Sequence, residues 1–230
     1  MNSPLPQRCL AEFISSFCLI LIGCGAMVVD FQTGALTHVG VATVWGLIVM
    51  VMIYAVGPIS GAHMNPAVTI AFTAARRLPL RDCLAYIPAQ CAGALAAALA
   101  LRAVLGLDES LLGSTQIGNG LTAGAGFAVE AAMTAILMFV VMGVSTGAKE
   151  ETITAGIAVG STIAMEAFVA GPLTKASMNP ARSIGPAIAS GYTDNLWIYI
   201  AAPILGALIG CVLHCLIKHT KAEAVVDPKT

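Results

Sequence analysis

The chain is 230 residues long, 58% hydrophobic and only 10% charged, with a formal net charge of -1 and a mean hydropathy of +0.88. Soluble domains carry about 25% charged and about 45–50% apolar residues, so these figures exclude an ordinary soluble globule. The near-zero charge equally excludes the basic field that holds nucleic acid.

In chain order, residues 9–29 form the first long apolar run. The run matches the ~20 residues a membrane-spanning helix requires and exceeds the roughly 7–15-residue core of a signal peptide. It also carries Glu12 and reaches Asp30 without a convincing cleavage site, so it is predicted to be the first span. Residues 38–56 form the second. Gly61, Ala62 and His63 then interrupt the helical pattern, just ahead of Met64-Asn65-Pro66-Ala67. Asn favours the cap of a helix, and Pro suits its first turn because the missing N–H would be unbonded there anyway. Residues 65–75 therefore read as a helix ~16 Å long, about half of a hydrocarbon core of ~30 Å.

Arg76, Arg77 and Arg81 follow, then a third span at 83–105 and a loop bearing Asp108 and Glu109. Spans four and five are predicted at 121–145 and 153–170. Lys175, Ala176 and Ser177 break the pattern again, and Met178-Asn179-Pro180-Ala181 opens a second half-helix over 179–189. The sixth span covers 196–217, with Lys218 and Lys221 behind it. Six spans leave both ends on one side, and the Arg and Lys clustered there predict cytoplasmic termini.

The Met-Asn-Pro-Ala repeat belongs to a larger one. AQCAGAL at 89–95 matches APILGAL at 202–208, and Glu12 of span one has a counterpart in Glu130 of span four. The chain thus reads as a single domain, 1–230, with halves at about 1–115 and 116–220 and a tail at 221–230. Three spans per half is an odd number, so the halves insert with opposite topology. The fold class is an all-α membrane protein of six transmembrane helices and two re-entrant half-helices, built as an inverted internal repeat.

The half-helices then meet near the midplane. Their unpaired N–H groups and partial positive charge oppose cations, while the Asn65 and Asn179 amides donate hydrogen bonds. Non-helical backbone at that depth is tolerated where it lines a wet cavity. The carbonyls of Gly61, Ala62, His63, Lys175, Ala176 and Ser177 are therefore predicted to line a path for small neutral molecules, and a poor one for ions.

Seven cysteines, an odd count lying mostly in apolar runs, read as small hydrophobes rather than a disulfide frame. Nothing joins Cys211 and Cys215 to make a metal site, and no nucleophile–base pair or phosphate loop is present, so neither cofactor nor enzymatic activity is expected. A proton-coupled secondary transporter is the competing function, since it also uses inverted repeats and broken helices, with Glu12, Glu130 and Glu166 carrying protons. An ion channel would need charged pore rings, which are missing.

The segments SGAHMNPAVT and GPLTKASMNPARS, in a duplicated six-span frame, make the chain similar to the aquaporin and aquaglyceroporin family over nearly its whole length. The resemblance implies one pore per subunit, a homotetramer in a plasma or bacterial inner membrane, and Asn65-Pro66-Ala67 and Asn179-Pro180-Ala181 as paired pore motifs. It also implies a narrowest ring of Trp45, Ala167, Ala176 and Arg182, carried over by distance from the two Asn residues. Strict water channels have Phe and His where this chain has Trp45 and Ala167. Glycerol facilitators share the Trp and the GPLT stretch, but have a second aromatic where Ala176 stands and an acid where Ser183 stands. These departures place the chain nearest to the nodulin-like intrinsic proteins and their bacterial relatives, which pass water, glycerol and undissociated metalloid acids such as arsenous acid.

Each of these residues also has a plainer reading. Arg182 could serve loop carbonyls alone, and Trp45 could be an interfacial aromatic. His63 is expected to pack, with only its carbonyl in the pore. Glu12 and Glu130 are expected to hold the N–H groups of the two re-entrant loops rather than relay protons. Glu166 has no duplicate, and its expected neighbour is Lys175 or Arg182. Topology is directly testable: tags at the N-terminus, beside Arg77 and at the C-terminus should report the cytoplasmic side, and one beside Asp108 the opposite side. A C-terminal tag reporting outside would remove the even-span scheme.

Overall fold

The computed structural model describes residues 3–118, 120–145 and 149–223, with backbone alone at 149–153 and 218–223. The tail expected at 221–230 thus lies outside the described residues from 224 onward. Among the described residues, six helices are long and apolar enough to cross a membrane: α1 (Leu5–Thr33), α2 (Thr37–Ser60), α4 (Leu80–Leu105), α5 (Ala123–Val144), α6 (Lys149–Thr174, by its stretch Thr154–Thr174) and α8 (Ile198–Glu223, by its stretch Ile198–Ile217). Two are short, α3 (Pro66–Ala74) and α7 (Pro180–Ser190).

The short helices start where the repeated motif dictates. Asn65 Oδ1 accepts the Ala67 N–H at 2.9 Å, and Asn179 Oδ1 accepts those of Ala181 and Arg182 at 3.0 and 3.3 Å. Both Asn residues are extended, with φ -153°, and a proline follows each. The cap satisfies N–H groups that the helix itself leaves unpaired.

α1, α2, α4 and α6 overrun the predicted spans, whereas α5 lies within its predicted 121–145 and α8 starts two residues after its predicted 196 but runs on past 217. Those spans counted apolar residues, whereas a helix continues until its backbone hydrogen bonds are interrupted. α1 runs to Gly34 (φ 66°) and α2 passes Pro58 to reach Gly61 (φ 90°). Each glycine takes the left-handed conformation that closes a helix at least cost. α6 likewise passes Pro172 to end at Thr174.

Packing repeats between the halves. α1 lies against α4 and α2, as α5 lies against α8 and α6, and α2 crosses α6 where the halves meet. The short helices are exchanged: α3 packs on α8 and α7 on α4. Glycines set the crossings. A Cβ at Gly93 would stand 2.2 Å from the Phe13 carbonyl oxygen, and one at Gly206 2.2 Å from that of Ala131. At the α2–α6 crossing, a Cβ at Gly46 would stand 2.5 Å from the Gly160 carbonyl oxygen, and one at Gly160 2.7 Å from that of Gly46. Without a hydrophobic force between helices in lipid, such close approach by small residues is what holds a bundle together.

Polarity is inverted relative to a soluble globule. Glu12, Glu130 and Arg182 are at most 1% exposed, while Val104 is 81% and Leu84 66% exposed. Lipid solvates the apolar faces, and polar groups collect inside. Replacing Gly206 with Val is expected to cost about 1–3 kcal/mol, because the facing atom is backbone and cannot rotate away. A lowered unfolding midpoint in detergent would show it, and an unchanged midpoint would refute the close crossing.

Candidate functional site

The two loops entering the short helices hold unusual backbone. Ala62 and Met64 in the first, and Lys175, Ala176 and Met178 in the second, have φ between 48° and 65°. Non-glycine residues there cost of order 1–3 kcal/mol each. Buried carboxylates hold them in place. Glu12 Oε1 accepts from Ser60 Oγ (2.7 Å) and the His63 N–H (2.9 Å), and its Oε2 from the Met64 N–H (2.7 Å) and Gln90 Nε2 (2.8 Å). Glu130 Oε1 accepts from Thr174 Oγ1 (2.6 Å) and the Ser177 N–H (2.9 Å), and its Oε2 from the Met178 N–H (2.8 Å).

The two asparagines cross-link the halves. Asn65 Nδ2 donates to the Met178 carbonyl at 2.8 Å, and Asn179 Nδ2 donates to the Met64 carbonyl at 2.7 Å. A primary amide has two N–H groups, so this bond leaves a second on each Nδ2. Both asparagines line a cavity that also touches Gly61, Ala62, His63, Ala176 and Ser177.

That cavity runs from the joint to Phe72, Val144 and Ser145, the last of which accepts from Arg77 Nη1 at 3.4 Å. A second cavity opens at the other end among Asp30, His38, Glu109 and Lys175. Trp45, Ala167 and Ala176 line both cavities, and Arg182 lines the first. These four residues therefore stand together where the two spaces join.

Arg182 is fixed by its surroundings. Its Nη1 donates to the Gly113 carbonyl at 2.8 Å and lies 3.6 Å from Cys24 Sγ. Its Nη2 lies 3.2 Å from Met27 Sδ and 3.5 Å from the Lys175 carbonyl oxygen. Its Cζ stands 4.6 Å from the Trp45 ring centre, within the ~6 Å of a cation–π contact. Gly113 is delivered by a short 3-10 turn, Leu111–Gly113. Just upstream, Asp108 accepts from Ser110 and from Gln32 Nε2 of α1 at 2.8 Å. Those bonds hold the Asp108 carboxyl below its ordinary range, Ser110 more than Gln32.

The architecture is matched across the chain by one family model, described as Major intrinsic protein, over residues 2–214. The chain belongs to the major intrinsic protein family. It is 41% identical to aquaporin NIP1-1 of Arabidopsis thaliana, over 96% of this chain and 76% of that protein. It is 46% identical to aquaporin NIP1-3 of Oryza sativa subsp. japonica, over 93% and 74%, and 42% identical to nodulin-26 of Glycine max, over 96% and 81%. Among solved structures, the aquaglyceroporin from Plasmodium falciparum shares the fold with a TM-score of 0.82 at 23% identity, covering 96% of this chain and 100% of that one.

This major intrinsic protein is a multi-pass membrane protein, a passive channel for water and small solutes, and not an enzyme. The proton-coupled transporter finds no support. Of its three expected carriers, Glu12 and Glu130 have their oxygens taken up by donors of the two loops and of the helices beside them. Glu166 corrects a further expectation: it pairs with neither Lys175 nor Arg182, and both its oxygens are buried without a hydrogen-bond partner among the described residues. One residue along a helix turns the side chain by about 100°, so the neighbour of Ala167 points elsewhere, and the Arg182 Nη groups already face Gly113, Lys175 and the two sulfurs.

His63 is packed: its Nδ1 lies 3.1 Å from Thr69 Oγ1, and its ring stacks on Phe72 at 4.8 Å and meets Tyr86 edge-on at 5.4 Å. Sequence reasoning missed Gln90, Ser60 and Gly113. A polar Gln90 inside the repeated AQCAGAL segment was a usable signal; nothing local marks Gly113. Changing Glu130 to Gln turns one acceptor into a donor facing a backbone N–H. The lost charge-assisted bond is expected to cost about 1.5–3 kcal/mol, read as a lower unfolding midpoint with reduced water flux in vesicles. An unaltered midpoint would show that the loop stands without the carboxylate.

Proposed function

We propose that the lumen conducts water together with uncharged solutes up to the size of glycerol and arsenous acid, and rejects protons and other ions. The observation that carries this reading is the junction of the two cavities, where Trp45 and Arg182 are joined by two methyl side chains, Ala167 and Ala176. A water-only ring would need bulk opposite the arginine, and here that bulk is absent. The indole face supports a carbon backbone, while the guanidinium donates to hydroxyl oxygens. At that ring the four residues act as the selectivity filter.

Exclusion of ions rests on the joint of α3 and α7. The two helix N-termini place partial positive charge at the midplane, and the free amide hydrogens of Asn65 and Asn179 orient a passing oxygen. The loop carbonyls of Gly61, Ala62, His63, Lys175, Ala176 and Ser177 supply acceptors on either side. The whole chain forms one channel unit, and four copies assemble as a homotetramer in a plasma or bacterial inner membrane. Both termini and the Arg76–Arg77 end are cytoplasmic, by the positive-inside rule.

Stopped-flow measurements on vesicles carrying the purified protein test the proposal with water, glycerol, urea and arsenous acid in turn. Water and at least one larger solute should cross faster than in bare vesicles, without added proton conductance. Placing Phe at 45 and His at 167 should suppress the larger solutes more than water, since width limits them first. Water flux alone, with every larger solute at the bare-vesicle rate, would refute the open ring.

A further inference from the structure

The aperture at Trp45 depends on what lies behind the indole. A Cβ at Gly23 of α1 would stand 2.4 Å from Trp45 Cζ3 and 2.5 Å from both Cε3 and Cη2. Three nearly equal distances to consecutive ring atoms mean that the Cβ would lie over the face of the ring, since an edge approach would bring one atom much nearer than its neighbours. Carbon atoms in ordinary contact are about 3.5–4.0 Å apart. The benzene ring of the indole therefore fills a recess that exists only because residue 23 has no side chain. Gly23 lies within α1, a helix that runs unbroken from Leu5 to Thr33, so no turn or left-handed backbone accounts for a glycine there. A glycine inside a helix costs roughly 0.5–1 kcal/mol relative to Ala, and the contact it permits is with Trp45.

We infer that Gly23 is a specificity-positioning residue of the channel: its missing side chain seats the Trp45 indole against α1 and so keeps the junction with Arg182, Ala167 and Ala176 wide enough for solutes larger than water. The inference rests on the proposed solute range, and it adds a residue that does not itself touch the solute. Any side chain at 23 displaces a ring that lines both cavities. α1 occupies the space behind the indole, so displacement carries the ring away from α1 and into the lumen that it lines. Flux of the larger solute falls first.

The test compares Gly23→Ala with Gly23→Ala/Trp45→Ala, each against its own parent, in vesicles by stopped flow. Pocket changes of one methyl group alter discrimination by about tenfold or more. Gly23→Ala should therefore lower the glycerol-to-water ratio by about that factor, whereas the same substitution in the Trp45→Ala background should leave the ratio unchanged. An unchanged ratio in the first case, or an equal fall in both backgrounds, overturns the inference. If Gly23→Ala alone fails to fold while the double variant folds, the recess is upheld; if neither folds, Gly23 serves helix packing and the inference is overturned. In a Trp197→Phe protein, Trp45 is the only tryptophan, and Gly23→Ala should shift its emission. That shift reads the indole position even if the parent passes no glycerol, an outcome that would instead refute the proposed solute range.

Discussion

Each half of this channel is closed by the other. Asn65 holds the Met178 carbonyl and Asn179 holds the Met64 carbonyl, while each Asn caps its own short helix. One side chain thus sets both the start of a helix and its position against the opposite loop. The loops themselves are strained, at about 1–3 kcal/mol for each left-handed residue. The charge-assisted bonds from backbone to Glu12 and Glu130 contribute about 1.5–3 kcal/mol apiece. The two magnitudes are comparable, so neither loop would keep its shape without its carboxylate. Donors in turn make a buried carboxylate tolerable away from water: four surround Glu12 and three surround Glu130.

The repeat is symmetric in its frame and asymmetric in its lining. Glu12 matches Glu130, and Gly46 matches Gly160 across the α2–α6 crossing. By those registers the second half has Val141 and Val159 where the first has Gly23 and Trp45. Both valines line the cavity that runs toward Arg77. One half therefore builds a tight junction out of a large ring in a glycine recess. The other half places two medium side chains at the corresponding positions. Duplication supplied the scaffold, and substitutions at corresponding positions made the two ends different.

Much of the frame was legible in the sequence because it rests on local rules. Span length, Asn-Pro caps and the Glu12–Glu130 correspondence each follow from a few adjacent residues. Helix ends were read short at Leu5, Ser60 and Thr174, since an apolar count does not register backbone bonding past Pro58 or Pro172. What stayed hidden is long-range. Arg182 meets Gly113 and Cys24 across 69 and 158 positions, and the recess at Gly23 becomes visible only when α2 is laid against α1. Glu166 was misplaced for a related reason: charge complementarity suggested a partner, but the direction of a side chain on its helix decides which groups it can reach.

The reciprocal asparagine bonds also bear on how such a chain is made. A membrane protein emerges N-terminus first, and spans enter the bilayer as they are synthesised. When α1 to α4 are in place, Asn65 already caps α3, yet its amide has no Met178 to hold and the Met64 carbonyl has no donor. The first loop thus waits, half satisfied and open to water, until Asn179 and α7 have been synthesised. α3 cannot reach its final seat before α8, the last helix, arrives to pack against it. The midplane joint can therefore close only after both halves have been synthesised.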